Sequence, residues 1–247
     1  MPPLKYFVPN GITALSLLLG LGSVTLAAEQ SYDLAAWMIL WASLLDKLDG
    51  TAARLFKATS KFGVEFDSFA DFVSFGLAPA ALIYFRLLHS RQWEGWYRTA
   101  LMVTAGLYVV ALAVRLARFN VTTSAGETMF VGVPGTLVGA VVGSAYLTWA
   151  KYHLGEGLLD YAPALLIGCA LLMVSGLRMP KLKLRKSKLF NAFQMSNMAA
   201  AYVLAPLMLM PEYLLGLGLL YLVGGLVVGM RSHPDTEEAE DPQEQPA

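Results

Sequence analysis

Long apolar stretches separated by short polar links constrain this chain more than any other feature. A membrane-spanning helix needs roughly 20 mainly apolar residues. Stretches of about that length cover residues 11–28, 33–53, 67–88, 96–118, 134–152, 160–178, 190–210 and 212–231. Because hydrocarbon offers no hydrogen-bond partner to an open sheet edge, helices are expected and strands are not. The sequence therefore predicts an all-α, polytopic membrane bundle of about eight transmembrane helices.

The composition agrees with a membrane protein. Hydrophobic residues make up 56% of the chain and charged residues 15%, against about 25% charged residues in an ordinary soluble domain. Residues 232–247 carry acidic side chains and prolines without Lys or Arg, a pattern typical of disorder. We therefore expect a membrane domain over residues 1–231 and a disordered acidic tail over residues 232–247. Cys169 lies in an apolar run and is expected to pack as a small hydrophobe.

The distribution of positive charge predicts the orientation. If the N-terminus is cytoplasmic, fourteen of the eighteen Lys and Arg residues fall on the cytoplasmic side, as the positive-inside rule requires. The exceptions are Arg86, Arg91, Arg98 and Lys151, and the three arginines argue weakly for the opposite orientation. The basic loop at residues 179–188 is either a positive-inside anchor or a patch that recruits anionic lipid.

Two acidic pairs stand near the ends of the second and third predicted spans. Asp46 and Asp49 are three residues apart, and Asp67 and Asp71 are four apart. Each pair therefore shares one face of a helix. The polar link at residues 56–63 fits a turn between two antiparallel helices. The two pairs are expected to converge at one depth on the cytoplasmic side.

Four carboxylates close to hydrocarbon are costly unless something neutralises them. Oxygen-only ligands favour magnesium, calcium or manganese over zinc. Two such ions suit displacement at phosphorus, because they clamp charged oxygens on both sides of the reacting centre. Gly50 and Ala53 keep the same helix face open, Gly63 lies where the link enters the next helix, and Arg54 is placed to hold a phosphate oxygen.

The residues from Asp46 to Asp71 carry the pattern D-x2-D-G-x2-A-R-x8-G-x3-D-x3-D. In this pattern the chain resembles the CDP-alcohol phosphotransferase family. The resemblance implies that an alcohol attacks the phosphorus of a CDP-linked lipid and releases CMP, in an enzyme that usually forms homodimers. It also implies that Asp46, Asp49, Asp67 and Asp71 hold two magnesium or manganese ions and that Asp71 takes the proton of the attacking hydroxyl. The implied lining of the CDP pocket is Asn10, Thr13, Gly50, Ala53, Arg54 and Gly63.

A wider resemblance, over residues 8–188, is to the bacterial-type phosphatidylserine synthases of that family. It rests on VPNGIT at residues 8–13, SFG at residues 74–76, RLARFN at residues 115–120 and FVGVPGT at residues 130–136. The last motif departs from the subgroup at Val133 and at Gly135-Thr136, where a second proline is usual. The resemblance implies CDP-diacylglycerol and L-serine as substrates, and a site that faces the cytoplasm from a bacterial-type inner membrane.

Polar residues beyond the signature are candidates for the acceptor site. Arg115 and Arg118 lie three residues apart at the cytoplasmic end of the fourth span. They either clamp a carboxylate or diphosphate or snorkel to the interface. Asn120 and Ser74 are weaker candidates for polar contacts to the acceptor. Asn10 either caps the first helix or lies near the nucleotide.

Other functions remain as alternatives. The same chemistry with glycerol phosphate, inositol phosphate or choline is the nearest one. A transporter or cation channel is disfavoured, because the aspartates cluster at one membrane face and the sequence shows no internal repeat. A membrane scaffold with a structural metal site is the third class. No nucleic-acid partner is expected.

Overall fold

The helices follow the apolar stretches of the sequence closely. The computed structural model describes residues 4–92, 94–122, 129–180 and 188–231. Its helices are α1 (Phe7–Ala28), α2 (Tyr32–Leu55), α3 (Lys61–Asp71), α4 (Ala78–Arg91), α5 (Gly95–Thr122), α6 (Gly135–Lys151), α7 (Glu156–Leu159), α8 (Ala162–Val174), α9 (Lys188–Leu204) and α10 (Pro211–Arg231). A π-helical turn, Phe72–Leu77, joins α3 to α4. Each predicted span coincides with one helix or with two consecutive ones, so the all-α prediction is confirmed.

Among the residues that the structure describes, five helical segments are long and apolar enough to cross a membrane. They are Phe7–Ala28, Lys61–Arg91, Gly95–Thr122, Glu156–Val174 and Pro211–Met230. These segments make the chain an integral membrane protein. Helices α2, α6 and α9 coincide with the other three predicted spans. Helix α2 carries several charges near its C-terminal end, and α6 and α9 are 17 residues each, so the count of eight stays a prediction.

Two short strands, which the sequence did not predict, join neighbouring loops. Strands β1 (Met129–Val131) and β2 (Arg178–Pro180) pair in antiparallel fashion, with Phe130 opposite Met179. Beyond the pairing, Gly132 N donates to Leu177 O at 2.7 Å and Val133 N donates to Leu172 O at 3.2 Å. The ribbon therefore ties the segment before α6 to the C-terminal end of α8 with its backbone groups paired.

Small residues allow the central helices to approach closely, as is common in membrane bundles. A Cβ built on Gly20 of α1 would lie 2.5 Å from Ser74 Oγ and 2.7 Å from Ser74 Cα. A Cβ on Gly139 of α6 would lie 2.8 Å from a ring carbon of Phe75. The π-helical turn thus packs directly against the backbones of α1 and α6.

The π-helical turn has its own polar partners. Such turns interrupt the regular hydrogen-bond ladder of a helix. Here Tyr108 donates its hydroxyl to Phe75 O at 2.8 Å, and Ser74 donates to Ser16 O of α1 at 2.9 Å. The turn follows Asp71 directly, so it fixes where the α3 aspartates lie relative to the buried face of α4.

Ion pairs connect helices at the end of the bundle opposite the aspartates. Arg86 pairs with Glu156 at 2.7 Å, Arg91 with Asp160 at 2.8 Å and Lys151 with Glu212 at 2.7 Å. These three cations are among the four Lys and Arg residues that the predicted orientation places on the non-cytoplasmic side of the membrane. The pairs link α4 to α7 and its following turn, and α6 to α10.

Two predictions concern segments outside the described residues. The acidic tail at 232–247 and most of the basic loop, residues 181–187, fall there, so both predictions stand untested. Cys169 is buried and free, which confirms its expected place in the apolar interior.

Replacement of Gly20 by Ala tests the close contact between α1 and the π-helical turn. The added methyl group meets the backbone of Ser74, and overpacking of this kind typically costs about 1–3 kcal/mol. We expect a lower thermal unfolding midpoint of the purified protein in detergent. Gly168→Ala on α8 is the control, because a Cβ there has no neighbour within 4 Å. An equal midpoint for the two variants would contradict the packing described above.

Candidate active site

The two acidic pairs converge, as the sequence predicts. One carboxylate oxygen from each of Asp46, Asp49 and Asp67 lies within 4.8 Å of the others. The carboxyl group of Asp71 contacts that of Asp46 and has Asp67 and Arg115 as further charged neighbours. Helix α2 supplies one pair and α3 the other, and the turn between them brings both pairs to the same end of the bundle. We call this end the aspartate end.

The cluster is enclosed by protein and short of positive charge. Asp49 is 5% exposed, and Asp46, Asp67 and Asp71 are half-buried. Within the described ranges, no Lys or Arg lies at ion-pair distance from these carboxylates. Enclosed carboxylates need a compensating charge, and an all-oxygen ligand set suits a hard divalent cation. The donor set therefore fits magnesium or manganese.

Two threonine hydroxyls hold the aspartates of α2. Thr13 Oγ1 of α1 donates to Asp49 Oδ2 at 2.8 Å and lies 3.0 Å from Pro9 O. Thr136 Oγ1 of α6 donates to Asp46 Oδ2 at 3.1 Å. Thr13 is one of the residues that the family resemblance places near the nucleotide, whereas no role was predicted for Thr136. The sequence gives no indication of the contact between Thr136 and Asp46, because the two residues lie 90 positions apart.

A cavity of about 170 Å³ opens beside the cluster, between α1, the end of α2 and the start of α3. Its lining consists of Pro9, Asn10, Thr13, Asp49, Gly50, Ala53, Arg54, Ala58, Thr59, Ser60, Gly63, Val64 and Asp67. All six residues that the resemblance places around CDP are among them. The structure brings these six together with two of the aspartates, and their role in binding the nucleotide stays a prediction.

Local structure explains how the small residues shape this cavity. Ser60 caps α3 and accepts a hydrogen bond from Gly63 N at 3.0 Å. A Cβ on Gly63 would lie 3.2 Å from Ser60 Oγ and 3.5 Å from Asn10 Oδ1, so a side chain there would fill the space. Because α1 begins at Phe7, Asn10 lies within its first turn. The alternative that Asn10 caps the first helix is therefore wrong.

The two candidate arginines have different surroundings. Arg115 is 6% exposed, and its Nε has no hydrogen-bond partner within the described part of the chain. Its charge lies near Asp71 and Asp46, which disfavours the snorkelling alternative. Arg118 instead donates to four backbone oxygens, those of Val131, Met173, Val174 and Ser175, at 3.0–3.3 Å. The structure therefore brings Arg115 to the aspartates and uses Arg118 to join β1 to the end of α8.

The remaining acceptor candidates lie away from the first cavity. Asn120 donates to Ser68 Oγ at 2.9 Å and lines a second cavity of about 310 Å³ between α3 and α5. This cavity shares no lining residue with the first. Ser74 is fully buried and donates to Ser16 O. Contacts of Asn120 and Ser74 with an acceptor stay predictions.

Comparison with known proteins agrees with the geometry. Residues 6–175 match the family described as CDP-alcohol phosphatidyltransferase. The chain is 37% identical over 180 residues, 72% of its own length and 73% of the other's, to the CDP-diacylglycerol–serine O-phosphatidyltransferase of Helicobacter pylori. It is 35% identical over 184 residues to the protein of the same name in Mycobacterium tuberculosis, covering 71% and 61% of the two chains. It is 31% identical over 179 residues to the archaetidylserine synthase of Methanothermobacter thermautotrophicus, covering 70% of each.

Divalent cations are expected to stabilise this protein through the aspartate cluster. A ligand present at 100 times its dissociation constant stabilises the folded state by about 2.7 kcal/mol. We expect added Mg²⁺ or Mn²⁺ to raise the thermal unfolding midpoint of the wild type and to have little effect on Asp49→Asn. Glu29→Gln, an exposed change after the last turn of α1, should respond as the wild type does. If Mg²⁺ or Mn²⁺ raised the midpoint of Asp49→Asn as much as that of the wild type, the aspartate cluster would not be the binding site.

Proposed function

Because the chain belongs to the CDP-alcohol phosphatidyltransferase family, we propose that it transfers the phosphatidyl group of CDP-diacylglycerol to the hydroxyl of L-serine. The products are phosphatidylserine and CMP. The observation that carries the proposal is the convergence of four aspartates beside a cavity lined by all six predicted nucleotide-binding residues. The three relatives described above, whose names all specify a serine lipid, support serine as the acceptor.

The aspartates would hold two divalent cations, magnesium or manganese. When bound, these ions supply the positive charge that offsets the diphosphate and polarises the attacking hydroxyl. The carboxylates of Asp46, Asp49, Asp67 and Asp71 are the ligands. Thr13 and Thr136 keep the two α2 carboxylates in place through their hydrogen bonds. Each threonine hydroxyl occupies one lone pair of one carboxylate oxygen, so each carboxylate keeps further lone pairs that could bind a cation.

Asp71 takes the proton of the serine hydroxyl. As that oxygen forms its bond to the phosphorus that carries diacylglycerol, the bond from this phosphorus to the bridging diphosphate oxygen breaks. CMP leaves with the electron pair, and the proton stays on the Asp71 carboxylate. A carboxylate is a weak base, and a polarised hydroxyl needs only a weak one. Asp71 has both Asp46 and Arg115 as charged neighbours, which supports this role.

Arg115 binds the carboxylate of serine. It is a buried arginine whose Nε has no hydrogen-bond partner among the described residues, and it lies beside the group proposed as the base. Guanidinium groups favour carboxylates because two parallel N–H donors match the two oxygens. The four backbone contacts of Arg118 favour Arg115 over Arg118 for this role. A serine held on Arg115 would present its hydroxyl toward Asp71.

The distribution of charge bears on the cellular setting. The excess of Lys and Arg at the aspartate end in the sequence supports a cytoplasmic location for this end, and the family resemblance implies a bacterial-type inner membrane. Serine would then reach the site from the cytoplasm, and the CDP headgroup of the lipid substrate would lie at the cytoplasmic surface of the membrane. The homodimer implied by the family resemblance remains a prediction.

Incubation of the purified protein with CDP-diacylglycerol and a panel of alcohols tests the function. We expect metal-dependent CMP release with L-serine and little with glycerol phosphate, inositol phosphate or choline. Asp71→Asn should lower the rate by about 10²–10⁴-fold, the usual contribution of a general base, and should still bind CDP-diacylglycerol. Glu94→Gln, an exposed change at the opposite end, is the control. CMP release with another alcohol and not with serine would identify that alcohol as the acceptor. An active Asp71→Asn variant would show that Asp71 is not the base.

Substitution of Arg115 by Gln tests the carboxylate contact. Hydrogen bonds to charged groups are worth about 1.5–3 kcal/mol, so we expect KM for serine to rise by roughly 10–100-fold with a smaller change in kcat. The preference for serine over ethanolamine, which lacks the carboxylate, should fall by the same factor. Arg98→Gln, an exposed change on the same helix, should leave both values unchanged. A retained preference for serine in Arg115→Gln would show that another group recognises the carboxylate.

A further inference from the structure

Thr136 is the second residue of α6, is 9% exposed, and donates its hydroxyl to Asp46 Oδ2 at 3.1 Å. We propose that Thr136 is a positioning residue that fixes the Asp46 carboxylate for divalent-cation binding. The inference rests on the proposed function, because it assumes that Asp46 is a metal ligand. It adds a residue outside the Asp46–Asp71 segment to the machinery of the site.

The Thr136 contact differs from the usual hydrogen bond of a helical threonine. Thr25, Thr51 and Thr148 donate to the carbonyl four residues earlier in their own helices, a common local pattern. Thr13 also has the carbonyl four residues earlier, Pro9 O, as an acceptor, in addition to Asp49. Within the described part of the chain, Thr136 donates to Asp46 alone. Its hydroxyl is therefore committed to the aspartate.

The fold holds Thr136 in place without help from Asp46. Gly132 has a φ of +79°, a conformation that favours glycine, and a Cβ there would collide with Met173 O. Arg118 binds Val131 O and the last carbonyls of α8. A Cβ on Gly135 would collide with Leu112 Cδ1, so α6 begins in direct contact with α5. The hydroxyl is thus presented to Asp46 by a turn that is fixed on two sides.

The chemistry of this contact predicts its effect. The threonine hydroxyl occupies one lone pair of Oδ2 and limits the rotation of the carboxylate, which keeps further lone pairs for a cation. Groups that orient a metal ligand in this way typically change metal affinity by roughly 10–100-fold when they are removed.

Binding of Mn²⁺ to the full-length protein in detergent, without substrates, tests the inference. Free Mn²⁺ is measured by electron paramagnetic resonance for the wild type, Thr136→Val, Thr136→Ala and Thr136→Ser. We expect both variants without a hydroxyl to bind Mn²⁺ about tenfold more weakly and Thr136→Ser to retain nearly the wild-type affinity. Thr148→Val is the control, because Thr148 lies on the same helix and donates only to Ser144 O.

The outcomes separate this inference from the proposed function. Wild-type affinity in Thr136→Val or Thr136→Ala overturns the positioning role, and so does a loss in Thr136→Ser equal to that of the other variants. If either variant without a hydroxyl does not fold, the other and Thr136→Ser still decide. If the wild type itself binds no Mn²⁺, the metal centre and the proposed function fail together. If the wild type binds Mn²⁺ and releases CMP while all Thr136 variants match it, only the positioning role fails.

Discussion

Mutual repulsion within a cluster of carboxylates is the constraint on which the rest of this structure depends. Two like charges 4 Å apart repel by about 4 kcal/mol at the effective dielectric constant near a protein surface. Here three aspartates have ligand oxygens within 4.8 Å of one another, and a fourth contacts Asp46. Such a cluster in a membrane bundle is favourable only where cations neutralise it. The helices that carry it must therefore be held together by contacts outside the cluster.

Those contacts come from several independent elements. Gly20 and Gly139 let α1 and α6 close on the π-helical turn that follows the second acidic pair. Thr13 and Thr136 then approach the α2 aspartates from two different helices. Arg118 and the short ribbon hold the start of α6 against the end of α8. The aspartates are thus positioned by a framework whose own hydrogen bonds do not involve them, apart from the two threonines.

The opposite end of the bundle contributes stability of a different kind. Most of the Lys and Arg residues that the predicted orientation places on the non-cytoplasmic side form ion pairs between helices, as in Arg86–Glu156 and Arg91–Asp160. Arg86 also lies over the rings of Tyr32 and Trp149, 5.6 and 5.1 Å from their centroids. These contacts between helices explain why positively charged residues lie at the end of the bundle opposite the aspartates. In the predicted orientation, fourteen of the eighteen Lys and Arg residues of the sequence fall at the aspartate end, where the proposed diphosphate would bind.

Sequence alone determined the helix pattern and the pairing of the aspartates, and the family resemblance named six of the residues that line the first cavity. Apolar length and residue spacing along a helix are local properties, and local properties can be read without a fold. Only the tertiary structure decided that Arg115 faces the aspartates while Arg118 binds backbone carbonyls, and that Thr136 reaches Asp46 from 90 positions away. It also decided that Asn10 lines a cavity rather than capping a helix, and that the chain widens into a π-helical turn after Asp71. The physical reason is that these features depend on how helices distant in sequence pack, and no residue pattern within one helix records the position of its neighbours.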